Sequence, residues 1–213
     1  RFLLAFPDTY EIGTSHFGMQ ILYNILNEDP AIAAERAFTP DVDLDALLRA
    51  KGAPLFALES HKPAADFDII GFSLLYELNY TNVLAMLDLA GIPFYAADRD
   101  ETQPLIIAGG PCMCNPEPVA ELFDAIVVGD GELVDPQMAQ VWLNVKAETG
   151  RVDKAEVLKL WAEIEGVSLP SFFDTVEDEY GQLLVKPKAG YKPVKRAILA
   201  DLDHAAFPVK PLI

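Results

Sequence analysis

The chain is short of cysteine, histidine and positive charge. Its 213 residues include two cysteines and three histidines. Two cysteines make no disulfide framework, and that usage fits a reducing cytoplasm. Lysine and arginine number 16 against 33 aspartates and glutamates, a formal net charge of −17. A nucleic-acid surface sets basic side chains against phosphates, so direct nucleic-acid binding by this segment is not expected. No apolar run reaches the roughly eighteen residues of a membrane helix. The opening stretch, "RFLLAFPDTY", lacks the longer apolar core of a signal peptide. It also lacks an initiator methionine, and "FPVKPLI" closes the chain without a polar tail. The expectation is a piece cut from a longer protein. There is no P-loop, no Ser-His-Asp order, no metal-binding histidine pair, no repeat and no low-complexity segment. The Gly-x-Gly-x-x-Gly fingerprint of a nucleotide-binding first turn is also missing, because "FPDTYEIG" stands there.

Apolar residues are plentiful, at 51% of the chain, and they fall into short continuous runs. "RFLLAF" (1–6), "FDIIGFSLL" (67–75), "PLIIAGG" (104–110) and "DAIVVGDGE" (124–132) read as buried strands. "ERAF" (35–38) and "PLFALES" (54–60) are candidates for two more. Between them lie helical patterns at 18–27, 41–52, 79–91, 116–123 and 136–150. Those at 41–52 and 79–91 end on a glycine suited to a C-terminal cap. Strands that are continuously apolar and alternate with helices predict a doubly wound α/β domain, with a mainly parallel sheet covered on both faces. That domain is expected over residues 1–150. The remainder, 151–213, reads as a helix capped by Asp153, a hairpin turning at Tyr180-Gly181, and a linker. Trp142 and Trp161 sit at helical spacing among apolar neighbours and are expected in the core.

In an open α/β sheet, ligands bind beyond the carboxyl ends of the strands. Four such ends carry suggestive residues: Asp8 and Tyr10; Ser73, Leu75 and Tyr76; Gly109 and Gly110; and Gly129 and Gly131 with Asp130 and Glu132. Paired glycines at a strand end let a flat ligand or a phosphate reach backbone amides, or simply allow a tight turn. His16, just before a helix, is either a pocket residue or a capping residue. Glu77 and Tyr80 either line the cleft or form a solvated helix start.

The pattern Ser73-x-Leu75 followed by Gly109-Gly110 on consecutive strands resembles the cobalamin-binding Rossmann-like domain. More specifically, "YEIGTSHFGMQILYNILN", "FDIIGFSLLYELNYTNVLAMLDLAGIP", "IIAGGPCMCNPEPVAELFDAIVVGDGE" and "VKRAILADLDHAAFP" resemble the N-terminal domain of a radical SAM family of uncharacterised function. The resemblance implies a downstream radical SAM domain carrying a Cys-x3-Cys-x2-Cys motif, a 4Fe-4S cluster and S-adenosylmethionine. That motif does not occur in this chain. The resemblance also implies cobalamin as a possible ligand of this domain. Parallel strands present their carboxyl ends to one edge, so Asp8, Tyr10, Ser73, Leu75, Tyr76, Gly109, Gly110, Gly129 and Gly131 are expected around such a ligand.

Two departures bear on the chemistry. Cobalamin domains of the mutase type use Asp-x-His-x-x-Gly, whose histidine takes the lower cobalt position. None of His16, His61 and His204 fits that pattern, so ligation of that kind is not expected. The interval from Ser73 to Gly109 is also longer than usual, which places "YAADRDETQ" in a loop before the strand. Cys112 and Cys114 offer two soft ligands, where a structural zinc needs four and a cluster three or four. They are read as loop thiols, and no residue is assigned to a metal or to catalysis. Two functions stand open. One is a cofactor-binding module that presents cobalamin or a related ligand to a catalytic domain. The other is a degenerate scaffold that binds nothing and only docks.

Overall fold

The computed structural model describes residues 1–150, 152–188 and 190–208. The first strand, β1 (Phe2–Phe6), has every residue buried, as its unbroken apolar run requires. The chain then forms a single turn, α1 (Tyr10–Gly13), and a longer helix, α2 (Phe17–Glu28). It returns as β2 (Ala34–Phe38), which pairs in parallel with β1. Helix α3 (Val42–Lys51) leads to β3 (Ile69–Ser73), which pairs with the other side of β1. Helix α4 (Tyr80–Ala90), β4 (Leu105–Gly109) and the short β5 (Ala125–Val127) continue outward, all parallel. The strand order is therefore 2-1-3-4-5, extended by β6 (Val167–Ser168), which pairs antiparallel to β5. The direction of winding reverses between β1 and β3, the topological switch point of a doubly wound sheet. The expected α/β class and mainly parallel sheet are the ones found.

Period-two alternation sorts the strand residues into two cores. Leu3, Ala5, Ile70, Phe72, Ile106 and Ala108 face α3 and α4. Phe2, Leu4, Ile69, Leu105 and Ile107 face α2 and the long helix α5 (Gly131–Thr149). Helix α6 (Lys154–Trp161) packs beside α5, and its Trp161 is fully buried and donates its indole N–H to the Met138 carbonyl at 3.0 Å. Trp142 is buried in the same core. Both tryptophans are core residues, as their spacing implied. The hairpin β7 (Phe173–Glu177) and β8 (Leu183–Pro187) turns at 178–182, where it was expected, and forms its own two-stranded sheet.

Three expected elements differ. Residues 54–60 form no strand beyond a bridge from Phe56 to Pro63. They turn instead across the free edge of β2. The Leu58 amide donates to the Arg36 carbonyl, while Glu59 and Glu35 side chains accept from the Arg36 and Ser60 amides. That arrangement occupies an edge that would otherwise offer open backbone groups. Residues 116–123 hold only a 3-10 turn at Ala120–Leu122, because Pro116 and Pro118 push the residues before them, Asn115 and Glu117, away from helical backbone. Helix α5 begins at Gly131 and runs through Pro136, so the strand expected over 124–132 stops at Val127. Strand β6 has only two residues and no periodicity to reveal it.

The segment 95–103 forms the loop expected before β4. Arg99 pins it, with its guanidinium donating to the Pro93, Phe94 and Leu122 carbonyls and to Asp124 at 3.1 Å. The side chain of Asp153 caps α6 by accepting from the Glu156 amide at 3.2 Å. Asp153→Ala should therefore lower stability by about 1 kcal/mol. Urea unfolding should show an earlier midpoint with an unchanged slope. An unshifted midpoint would remove the cap from the account.

Candidate functional site at the strand ends

Side-chain size along one sheet face creates the site. On the face toward α2 and α5, β3 presents Ile69, Gly71 and Ser73, and β4 presents Leu105, Ile107 and Gly109. The large residues lie at the amino ends of these strands and the small ones at the carboxyl ends. The helices answer in kind, with Gly18 in the first turn of α2 and Gly131 opening α5. A cavity of about 230 Å³ results, under the carboxyl ends of β3, β4 and β5. Of the residues that the sequence singled out, Ser73, Leu75, Gly109, Gly110, Gly129 and Gly131 line it, together with Glu132. Asp8, Tyr10 and Tyr76 lie at strand ends but outside that lining. The Tyr76 hydroxyl stands 3.5 Å from Asp8 Oδ2, and Tyr10 packs edge-on to Phe38. Asn79 and Asn82 donate to the Pro7 carbonyl and hold the turn after β1.

The glycines play different parts. Gly110 has φ +102 and ψ 177, a region that residues with a Cβ scarcely occupy. A Cβ there would lie 2.6 Å from the Leu74 carbonyl oxygen. Gly129 has φ +120, and Ala197 forms a parallel bridge against it. The Leu199 amide donates to Asp130 at 2.6 Å beside it. These two glycines therefore serve close backbone packing. Any side chain at Gly110 is therefore costly on backbone and steric grounds together. Gly109 differs, because a Cβ there would meet only Val127, at 3.6 Å. It is the glycine that keeps the cavity wall bare.

His16 takes both parts considered for it. Its Nδ1 accepts from the Met19 amide at 3.2 Å and caps α2, and its ring borders the cavity. Burial pushes its pKa below the usual histidine range. The neutral ring then carries its proton on Nε2, since Nδ1 accepts, and offers no free lone pair to a metal. Cys112 is buried and Cys114 exposed, and burial pushes the Cys112 thiol up.

The sequence reading missed Gly71, Leu22, Gly18 and, most consequentially, Asp135. The Asp135 side chain lies on the α5 stripe of Gly131, Met138, Trp142 and Val145. It is 6% exposed, and it is the one buried polar side chain in the cavity lining. No hydrogen bond reaches its carboxylate from any described residue. Desolvation, with the nearby Glu132 charge, pushes its pKa up to about 7. Its signal in the sequence was a lone charge in an otherwise apolar helical stripe, one turn past Gly131.

A 2-1-3-4-5 sheet with a small, largely apolar cavity at its strand ends defines a doubly wound α/β domain with its cavity where such sheets bind ligands. The chain belongs to the family described as the N-terminal domain of radical SAM proteins, whose model matches residues 18–170. It is 26% identical over 131 residues to the uncharacterized protein MJ0966 of Methanocaldococcus jannaschii, which is 61% of this chain and 23% of that protein. It is also similar to TsrM of Kitasatospora setae, a radical S-adenosylmethionine methyltransferase. A TsrM structure with cobalamin and a [4Fe-4S] cluster matches 99% of this chain and 31% of TsrM, at 15% identity and a TM-score of 0.47. A second, with tryptophan and aza-SAM, matches 89% and 30% at the same identity and score. The chain thus spans about a quarter of the curated relative and under a third of TsrM. Among the described residues, no helix is long and apolar enough to cross a membrane.

Proposed function

We propose that the domain holds cobalamin, or a cofactor built like it, and presents it to a radical SAM domain elsewhere in the full protein. The 4Fe-4S cluster and S-adenosylmethionine would belong to that other domain. The observation that carries this reading is the meeting of Ser73, Leu75, Gly109 and Gly110 around one cavity, since these positions also carry the resemblance to cobalamin domains. At about 230 Å³ the cavity falls below the roughly 300–1,000 Å³ that encloses a drug-sized ligand. It suits a ring-sized part of a larger molecule. The corrin macrocycle is too large for it, but the benzimidazole base appended to cobalamin is of the right size. The macrocycle would then rest outside, over the strand-end loops, where Ile12 and Leu78 are exposed. The group supplies its own organometallic chemistry when bound. This chain's residues would bind it, orient it and shield its base from water.

The test replaces the one wall glycine that tolerates a side chain. Gly109→Val should fold with a stability within about 1 kcal/mol of the parent, because its Cβ meets only ordinary contact. It should lose cobalamin binding at least a hundredfold, because its methyl groups occupy the cavity. Titration of the chain with hydroxocobalamin, followed by the cobalamin absorbance, reads both proteins. A variant that binds as tightly as the parent places the ligand elsewhere. A parent that binds no cobalamin at any concentration hands the role to the docking scaffold.

A further inference from the structure

We infer that Asp135 is the specificity-determining residue of the strand-end cavity, hydrogen-bonding a ring nitrogen of a flat, weakly basic heteroaromatic group. This rests on the reading of the cavity as a ligand site, but not on cobalamin as the parent molecule. Three features of the cavity carry it.

The first is an unmet need. Asp135 is 94% buried, and its carboxylate, to which no described residue donates, opens on the cavity instead of being sealed in the core. Buried polar groups without partners are costly and rare, and a cavity beside one points to a partner that comes from outside. The second is charge. The titratable groups lining the cavity are His16 from the α2 cap and Glu132 and Asp135 from α5. The strands β1, β3, β4 and β5 contribute none, and no lysine or arginine lines it. A phosphate or carboxylate would find no positive partner there and two carboxyl groups against it. The third is the wall. The bare strand surface at Gly71, Ser73 and Gly109 faces α2 and α5 across a small, mostly apolar space, which suits the apolar face of a ring.

The protonation state fits the same ligand. With its pKa near 7, Asp135 is substantially protonated around neutrality and can donate its O–H. A ring nitrogen of low basicity is unprotonated there and accepts. Both buried polar atoms are then satisfied without a buried net charge. Above pH 8 the carboxylate has lost that proton, and two lone pairs face one another.

The benzimidazole probe is its 1-methyl derivative, which has an accepting ring nitrogen and no N–H, and the indole probe is 1-methylindole, which has the same outline and neither. Each is titrated into the isotope-labelled 213-residue chain at pH 6.5 while the amide signals of Ser73, Gly109 and Gly131 are followed. The methylated benzimidazole should give saturable shifts at these amides and bind at least fivefold more tightly than the methylated indole. Asp135→Leu should abolish that preference, and Asp135→Asn, which can still donate, should retain it. Raising the pH to 8.5 should weaken the methylated benzimidazole severalfold in the parent and not in Asp135→Asn. An absence of saturable shifts at the three amides, or an undiminished preference in Asp135→Leu, overturns the inference. Cobalamin and cobinamide, which lacks the base, separate the two readings. If the methylated benzimidazole behaves as described but cobalamin does not bind, the cobalamin reading fails and the role of Asp135 stands.

Discussion

Gly110→Ala should destabilise the domain by about 4 kcal/mol, a large part of the 5–15 kcal/mol that holds a typical domain together. Two costs combine. An alanine at φ +102 and ψ 177 sits in backbone territory that is strained by roughly 1–3 kcal/mol for any residue with a Cβ. The added carbon would also lie 2.6 Å from the Leu74 oxygen and 3.1 Å from the Leu74 nitrogen, and backbone has no rotamer by which to step aside. Overpacking of that kind adds about 1–3 kcal/mol. The Leu74 amide already donates to Gly109, and the Cys112 amide to Leu74, so relief by moving Leu74 would break the crossing between the ends of β3 and β4. Gly109→Ala serves as the control, with a loss within about 1 kcal/mol. Thermal unfolding separates the pair by roughly 10 °C for a chain of this size. If Gly110→Ala melts with Gly109→Ala, the backbone clash is wrong.

These adjacent glycines show how far the sequence could be read. "IIAGG" marks the end of a buried strand, and a doubly wound, mainly parallel sheet follows from apolar runs alternating with helices. The two roles of the glycines do not follow. Which of them carries positive φ depends on how the chain after β4 crosses the chain after β3, a contact 36 residues apart in sequence, from Leu74 to Gly110. Gly129 is similar, since it is required by Ala197, which lies 68 residues away. Local pattern also misjudged the prolines of 116–118 and the edge-covering turn at 57–61, because both answer needs set by neighbouring strands. Asp135 was hidden for a different reason. A single carboxylate in a helix is usually solvated, and only the burial of its stripe against β5 and α2 turns it into an unpartnered group.

That burial gives the domain a pH dependence opposite to the usual acid lability. An unfolded aspartic acid titrates near 3.8, and Asp135 in the folded domain near 7. The folded state therefore binds the proton more tightly, and stability from this group is fully present below about pH 4. It declines as pH rises through the folded value and levels off above it. The whole interval corresponds to roughly 4 kcal/mol, of which about 3 kcal/mol falls between pH 5 and pH 8. Other carboxylates of this acidic chain titrate too, so the comparison must isolate one group. Asp135→Asn keeps the shape and carries no charge at any pH. Urea unfolding of the parent and the variant at pH 5 and at pH 8 gives four stabilities. The variant should gain about 3 kcal/mol on the parent in going from the lower to the higher pH. Each single difference includes whatever the amide itself costs or gains in the cavity, and that part cancels between the two pH values. A gain below about 1 kcal/mol would mean that water or a cation reaches the carboxylate through the cavity mouth and keeps it ionised. Asp135 would then not be the desolvated group that its position describes.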